Sequence, residues 1–145
     1  MNIKKTANLL LNFAIKRLAE IFGIIIFVSG IMLLIALMTY SPDDPNFIFP
    51  ENTQIKNLLG FQGSFISDLF FQSVGLVAYL VSFTFILTGI NIFRAKDFFL
   101  IIENNFYTIL YSIFGTLFIS HFYSNNFTFY INGNGGFVGN YLNQT

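Results

Sequence analysis

Asp43 and Asp44, held between Pro42 and Pro45, are adjacent carboxylates, the kind of hard oxygen ligand that calcium takes. Calcium needs about six to eight such ligands, and no EF-hand spacing supplies the rest. The loop therefore reads as a rigid acidic turn. One histidine, His121, and no cysteine leave out thiolate nucleophiles, disulfides and clustered His or Cys metal sites. No Gly-x-x-x-x-Gly-Lys-Ser/Thr run occurs, so a phosphate-cradling P-loop is missing and the chain is not expected to be an enzyme. A formal net charge of +0 offers no global field to attract nucleic acid. Asp68 admits two readings. It is an ionisable group at membrane depth, or a carboxylate at a helix N-terminus that complements the helix dipole. No residue is assigned a catalytic, cofactor-binding or metal-binding role.

The elements that must carry these groups follow from where charge is absent. The chain is 54% hydrophobic and 10% charged, against about 25% charged in a soluble domain. No charge falls between Glu20 and Asp43, between Asp68 and Arg94, or after Glu103. Uncharged apolar runs of about 18 residues or more are long enough to cross a bilayer as helices, and helices satisfy their own backbone there. The expected fold is an all-α membrane protein, a bundle of three transmembrane helices. Its spans are 21–40, 69–93 and 106–122, with a loop at 41–68, a charged connection at 94–105 and a Gly/Asn-rich tail at 123–145.

Residues 1–20 form a basic amphipathic segment. Ile3, Ala7, Leu10, Leu11, Ala14, Ile15 and Leu18 recur at helical spacing, while Lys4, Lys5, Asn8, Asn12 and Lys16 take the other face. Such a helix can lie on an anionic bilayer surface or simply lead into the first span. Within 41–68, Ile55, Leu58, Leu59, Phe65, Ile66 and Leu69 suggest a short amphipathic or re-entrant segment interrupted by Gly60 and Gly63. The Lys and Arg bias places the N-terminus (Lys4, Lys5, Lys16, Arg17) and the 94–105 connection (Arg94, Lys96) in the cytoplasm. The 41–68 loop, with Lys56 beside Asp43, Asp44, Glu51 and Asp68, then faces outward with the tail. Span centres read as nearly pure Ile, Leu, Phe and Val, which disfavours a small transporter or channel subunit. An unrelated membrane scaffold is the other alternative. Gly23, Gly30, Gly75, Gly89 and Gly115 would allow close helix approach.

Several short patterns occur in a fixed order relative to these spans. Arg17, Glu20 and Gly23 form Arg-x-x-Glu-x-x-Gly at the start of the first. Pro42, Asp44, Pro45, Asn46 and Phe47 form a Pro-x-Asp-Pro turn after it. Asn57, Gly60, Gly63 and Asp68 then lead to Phe70-Phe71 and to Gly75-Leu76-Val77-Ala78-Tyr79, and glycines cluster from Gly133 to Gly139. In this order the chain resembles the N-terminal membrane domain of the FtsK/SpoIIIE DNA translocases. The resemblance implies four spans, so the chain reads as a truncated member lacking the fourth. It also implies an inner-membrane anchor at the division septum, acting in cell division and chromosome partition. Its partners would be the lipid bilayer, divisome membrane proteins and further copies of itself. ATP and Mg, and contact with DNA, are implied for the motor region of that family alone.

Overall fold

The computed structural model describes residues 3–45, 54–123 and 132–144, with the side chains from residue 7 onward. Asn46, Phe47, Pro50 and Glu51 of the first loop lie outside the described residues, as do the Lys4 and Lys5 side chains.

The described residues are helical, in the order α1 Ile3–Met38, α2 Gly60–Val74, a 3-10 turn Gly75–Val77, α3 Ala78–Ala95, α4 Phe99–Phe122 and α5 Gly136–Gln144. The segment 1–20 is not a separate helix, because α1 runs through it without a break for 36 residues. No proline or glycine pair interrupts it until Pro42 and the residues before it end helical geometry. Two corrections concern boundaries. Helix α2 starts at Gly60, inside the stretch read as loop, and the 94–105 connection shrinks to Lys96–Phe98 because α4 begins at Phe99. At this second turn Lys96 takes a left-handed conformation (φ 58°) and closes α3 through its N–H to the Ile92 carbonyl. Asp97 then accepts the Phe99 N–H at 2.9 Å, which starts α4.

Among the described residues, two stretches are long and apolar enough to cross a membrane, Ala7–Met38 and Gly60–Ala95. The second contains 36 residues; straight, these would measure about 54 Å, far beyond a bilayer core of about 30 Å. The 3-10 turn divides it, leaving α3 with 18 residues, about 27 Å at 1.5 Å each. Helix α4 falls outside that pair, and it carries Glu103, Asn104 and Asn105 in its second turn.

The strongest packing joins α1 to α3. Glycines permit it: a Cβ on Gly89 would lie 2.4 Å from the Phe27 nitrogen and 2.6 Å from the Gly23 carbonyl oxygen. Gly30 likewise faces the Ile86 nitrogen, 2.7 Å from where its Cβ would be. Close backbone approach of this kind is how helices associate where lipid is as apolar as leucine. At one end of the pair, Leu33 and Leu37 of α1 meet Phe71, Ala78 and Val81. The Phe71 ring sits edge-on to Tyr40 (4.9 Å) and Tyr79 (5.6 Å). Helix α4 is inside-out relative to a soluble helix. Its buried residues are Thr108, Ser112, Thr116 and Ser120, while Phe106, Ile109, Phe114, Phe118 and Phe122 are exposed. An apolar exterior over a small polar seam is the pattern a bilayer demands.

Candidate functional site: two polar nodes around a bent helix

The residues singled out in the sequence gather at three places, and most of them meet beside the C-terminal end of α1. Asp44 is buried there and accepts the N–H of Lys56 on one carboxylate oxygen (2.8 Å) and the N–H of Asn57 on the other (2.9 Å). Both oxygens are thus engaged by backbone donors, the charge-assisted kind of bond, and the geometry is that of a loop clasp. Asp43 is largely exposed and pairs with the Lys56 ammonium at 2.8 Å, which holds the Lys56 pKa above its usual value.

Asn57, buried, extends the clasp in both directions. Its Nδ2 donates to the Ala36 carbonyl at 2.9 Å and the Thr39 carbonyl at 3.3 Å, satisfying acceptors that the end of α1 leaves open. Its Oδ1 accepts the Leu59 N–H at 3.0 Å, and Thr39 Oγ1 accepts the Leu58 N–H at 3.2 Å. Gly63 is the floor beneath this carboxamide, since a Cβ there would fall 2.1 Å from Asn57 Oδ1. Gly60 has φ +66° with open space around it, so backbone geometry rather than crowding explains glycine at that entry to α2. The Ser64 hydroxyl donates to the Pro45 carbonyl at 3.0 Å. Asp68 lies in the third turn of α2, away from any helix N-terminus. It is buried and accepts the Tyr40 hydroxyl at 3.0 Å. Asp44, Pro45, Asn57, Gly60, Gly63 and Asp68 therefore form one continuous joint between α1 and α2, with Pro42 on its exposed rim.

A second node surrounds Gly75, whose φ of +58° and ψ of −138° turn α2 into α3. Nothing larger fits, because a Cβ would lie 1.9 Å from the Asn134 carbonyl oxygen. That same oxygen accepts the Leu76 N–H at 2.9 Å, and Asn132 Nδ2 donates to the Gln72 carbonyl at 3.2 Å. The glycine cluster of the tail is thereby explained. Gly136 abuts Ser73 and Gly75, while Gly135 and Gly139 rest on Thr116 and Ser120 of α4. Ser120 donates to Asn140 Oδ1 at 2.7 Å and pins α5 there. His121 is exposed and faces Asn143 Oδ1 at 3.2 Å.

Arg17, Glu20 and Gly23 lie near the middle of α1, at the far end of its crossing with α3. Glu20 bridges Arg17 on its own helix and Lys96 in the α3–α4 turn, the latter at 2.7 Å. From Glu20 to Tyr40 is 20 residues, about 30 Å of helix, which matches a bilayer core. The bundle is thus charged at both ends and uncharged along the α1–α3 crossing between them.

Sequence reasoning missed the polar ties of α4. Tyr111 and Thr84 share a hydrogen bond of 2.7 Å, and Asn104 Nδ2 donates to Thr88 Oγ1 at 2.9 Å. The four-residue spacing of Thr108, Ser112, Thr116 and Ser120 was the available signal. Among the described residues, no group of three or more His, Cys, Asp or Glu could hold a metal ion.

An all-helical bundle with a lipid-compatible exterior, charged ends and glycine-mediated crossings is a membrane domain. Residues 15–145 match the family described as the 4TM region of DNA translocase FtsK/SpoIIIE, and the chain belongs to that family. Among curated proteins, it is similar to the DNA translocase FtsK of Azospirillum brasilense, at 27% identity over 76% of this chain and 17% of that protein. The FtsK of Caulobacter vibrioides is 36% identical over 50% of this chain and 9% of its own length. The FtsK of Rickettsia prowazekii is 29% identical over 50% of this chain and 10% of that protein. The chain thus covers under a fifth of these relatives, within the membrane region and not the motor. No solved structure matches it.

Proposed function

We propose that this chain anchors an ATP-driven DNA translocase in the bacterial inner membrane and holds it at the division septum during chromosome partition. The observation carrying this reading is the family match across residues 15–145. The anchor's mechanism is geometric. Helices α1, α3 and α4 cross the bilayer with the Glu20–Lys96 end in the cytoplasm. The joint at Asp44 and Asn57 and the node at Gly75 face outward and offer divisome membrane proteins a rigid surface. The basic start of α1 continues the first span on the cytoplasmic side, where an excess of Lys and Arg is expected. ATP, Mg and DNA belong to the motor region and reach this chain only through it. A transporter or channel subunit is not favoured, given the family.

Two experiments test it. A fluorescent fusion of residues 1–145, expressed in a dividing bacterium, should gather at midcell; uniform membrane label would overturn the septal role. Topology reporters after Lys56, Asp97 and Asn132 should read outside, cytoplasm, outside. Any other order would sink the three-span assignment without touching the septal result.

A further inference from the structure

The α1–α3 crossing has two sides, and α4 takes one of them through Asn104 to Thr88 and Tyr111 to Thr84. On the other side a groove of about 240 Å³ runs between the two helices, lined by Gly23, Ile24, Phe27, Gly89, Ile90 and Phe93. No residue of α4 lines it, and Ile24, Ile90 and Phe93 stand exposed on its walls. Those walls are hydrocarbon. The volume falls below the roughly 300 Å³ at which sites for small molecules begin. A run of methylenes suits such a groove better than a compact ligand.

One end of the groove opens onto cations. Arg94 follows Ile90 by one turn of α3, so its stem borders the mouth, and a long stem near a helix end carries its charge to the interface. Lys16 and Arg17 precede Gly23 and Ile24 by two turns of α1 and continue the same face farther out. Glu20, also on that face, is already shared by Arg17 and Lys96. Among the described residues, Lys16 and Arg94 have no ion pair. Asp97, the other carboxylate of this end, caps α4 through the Phe99 N–H. Four positive charges against two negative ones leave the mouth cationic. In the other direction the walls meet no charge, since residues 21–42 and 69–93 carry none.

A cationic mouth on a hydrocarbon groove matches a ligand with an anionic head and an apolar tail. We infer that the groove holds one acyl chain of an anionic phospholipid, its phosphate drawn to Arg94 beside the Glu20–Lys96 bridge. Basic pockets between membrane helices hold anionic headgroups in this way. A zwitterionic lipid fills the groove equally well but gains nothing from the excess positive charge. Which leaflet supplies the lipid rests on the orientation proposed above; the binding itself needs neither that orientation nor septal placement.

The chain contains no tryptophan, so Ile24→Trp reports on the groove alone. Residues 1–145 carrying it are placed in phosphatidylcholine vesicles, and phosphatidylglycerol or phosphatidylcholine with brominated chains is titrated in. Phosphatidylglycerol should quench at about fivefold lower mole fraction, the contribution of one Lys or Arg near a charged surface. Phe106→Trp, exposed on α4 away from these cations, should show no such preference. Adding Arg94→Gln to Ile24→Trp should remove most of the preference, while Arg94→Lys should keep it. Equal quenching by both lipids at Ile24, the same preference at Phe106, or a preference untouched by Arg94→Gln would each overturn the inference. If Ile24→Trp lowers helix content, Ile90→Trp reads the opposite wall, and the same results decide.

Discussion

A single methyl added at Gly89 tests the α1–α3 crossing directly. In Gly89→Ala the new Cβ would lie 2.4 Å from the Phe27 nitrogen, 2.6 Å from the Gly23 oxygen and 2.7 Å from the Phe27 Cα. All three are backbone atoms, so no rotamer change relieves the clash. The helices must separate by about 1 Å to reach ordinary contact, which loosens Leu33 and Leu37 against Val81 and stretches the Glu20–Lys96 bridge. Overpacking in a well-packed core costs about 1–3 kcal/mol, and a clash against rigid backbone belongs at the upper end. Two companion variants isolate the cause. Gly115→Ala meets only the Val77 methyls, at 3.2 and 3.8 Å, and should cost under about 1 kcal/mol. Gly60→Ala has free space but φ +66°, and should cost about 1–2 kcal/mol from backbone strain alone. Reversible unfolding of the purified chain in mixed micelles, followed by helix content, reads all three. If Gly89→Ala is no worse than Gly115→Ala, the close crossing is refuted.

Other changes report on the two nodes. Asp44→Asn replaces one acceptor oxygen with a donor facing a backbone N–H; it should cost about 2 kcal/mol and speed hydrogen exchange at the Lys56 and Asn57 amides. Tyr40→Phe removes the hydroxyl bonded to Asp68; a loss of about 1 kcal/mol in the same unfolding assay is expected. Gly75→Ala cannot keep the Asn134 carbonyl beside it. It should release α5, seen as proteolysis within residues 132–144 while α1 and α3 stay protected.

The gross architecture was legible because charge is excluded from lipid: the run after Glu20 marks the second half of α1, whereas the run after Asp68, read as one span over 69–93, holds the end of α2, the turn at Gly75 and most of α3. The boundaries were harder, for identifiable reasons. Gly60 and Gly63 read as interruptions, yet one supplies a left-handed entry to α2 and the other clears room for the Asn57 carboxamide. Arg94, Lys96, Asp97, Glu103, Asn104 and Asn105 read together as a loop, because composition does not reveal that Asn104 turns inward to Thr88. Span centres read as nearly pure Ile, Leu, Phe and Val with scattered Ser and Thr, and nothing in that texture shows that Thr84 and Tyr111 bond to each other between α3 and α4. What no local pattern carried was convergence: that Asp44, Asn57 and Asp68 form one joint, or that Gly75 awaits a carbonyl nearly 60 residues onward.

That last separation has a consequence in time. A chain is made from its N-terminus, so α2, Gly75 and α3 exist before Asn134 does. During that interval the Leu76 N–H lacks its acceptor, and the angle between α2 and α3 is held only by their contacts with α1 at Leu33, Leu37 and Tyr40. The bend is therefore completed late in biogenesis, when residues 132–136 arrive and lock the turn. Nascent chains arrested before Asn132 should expose the region around Gly75 to protease, and chains arrested well after Gln144 should protect it.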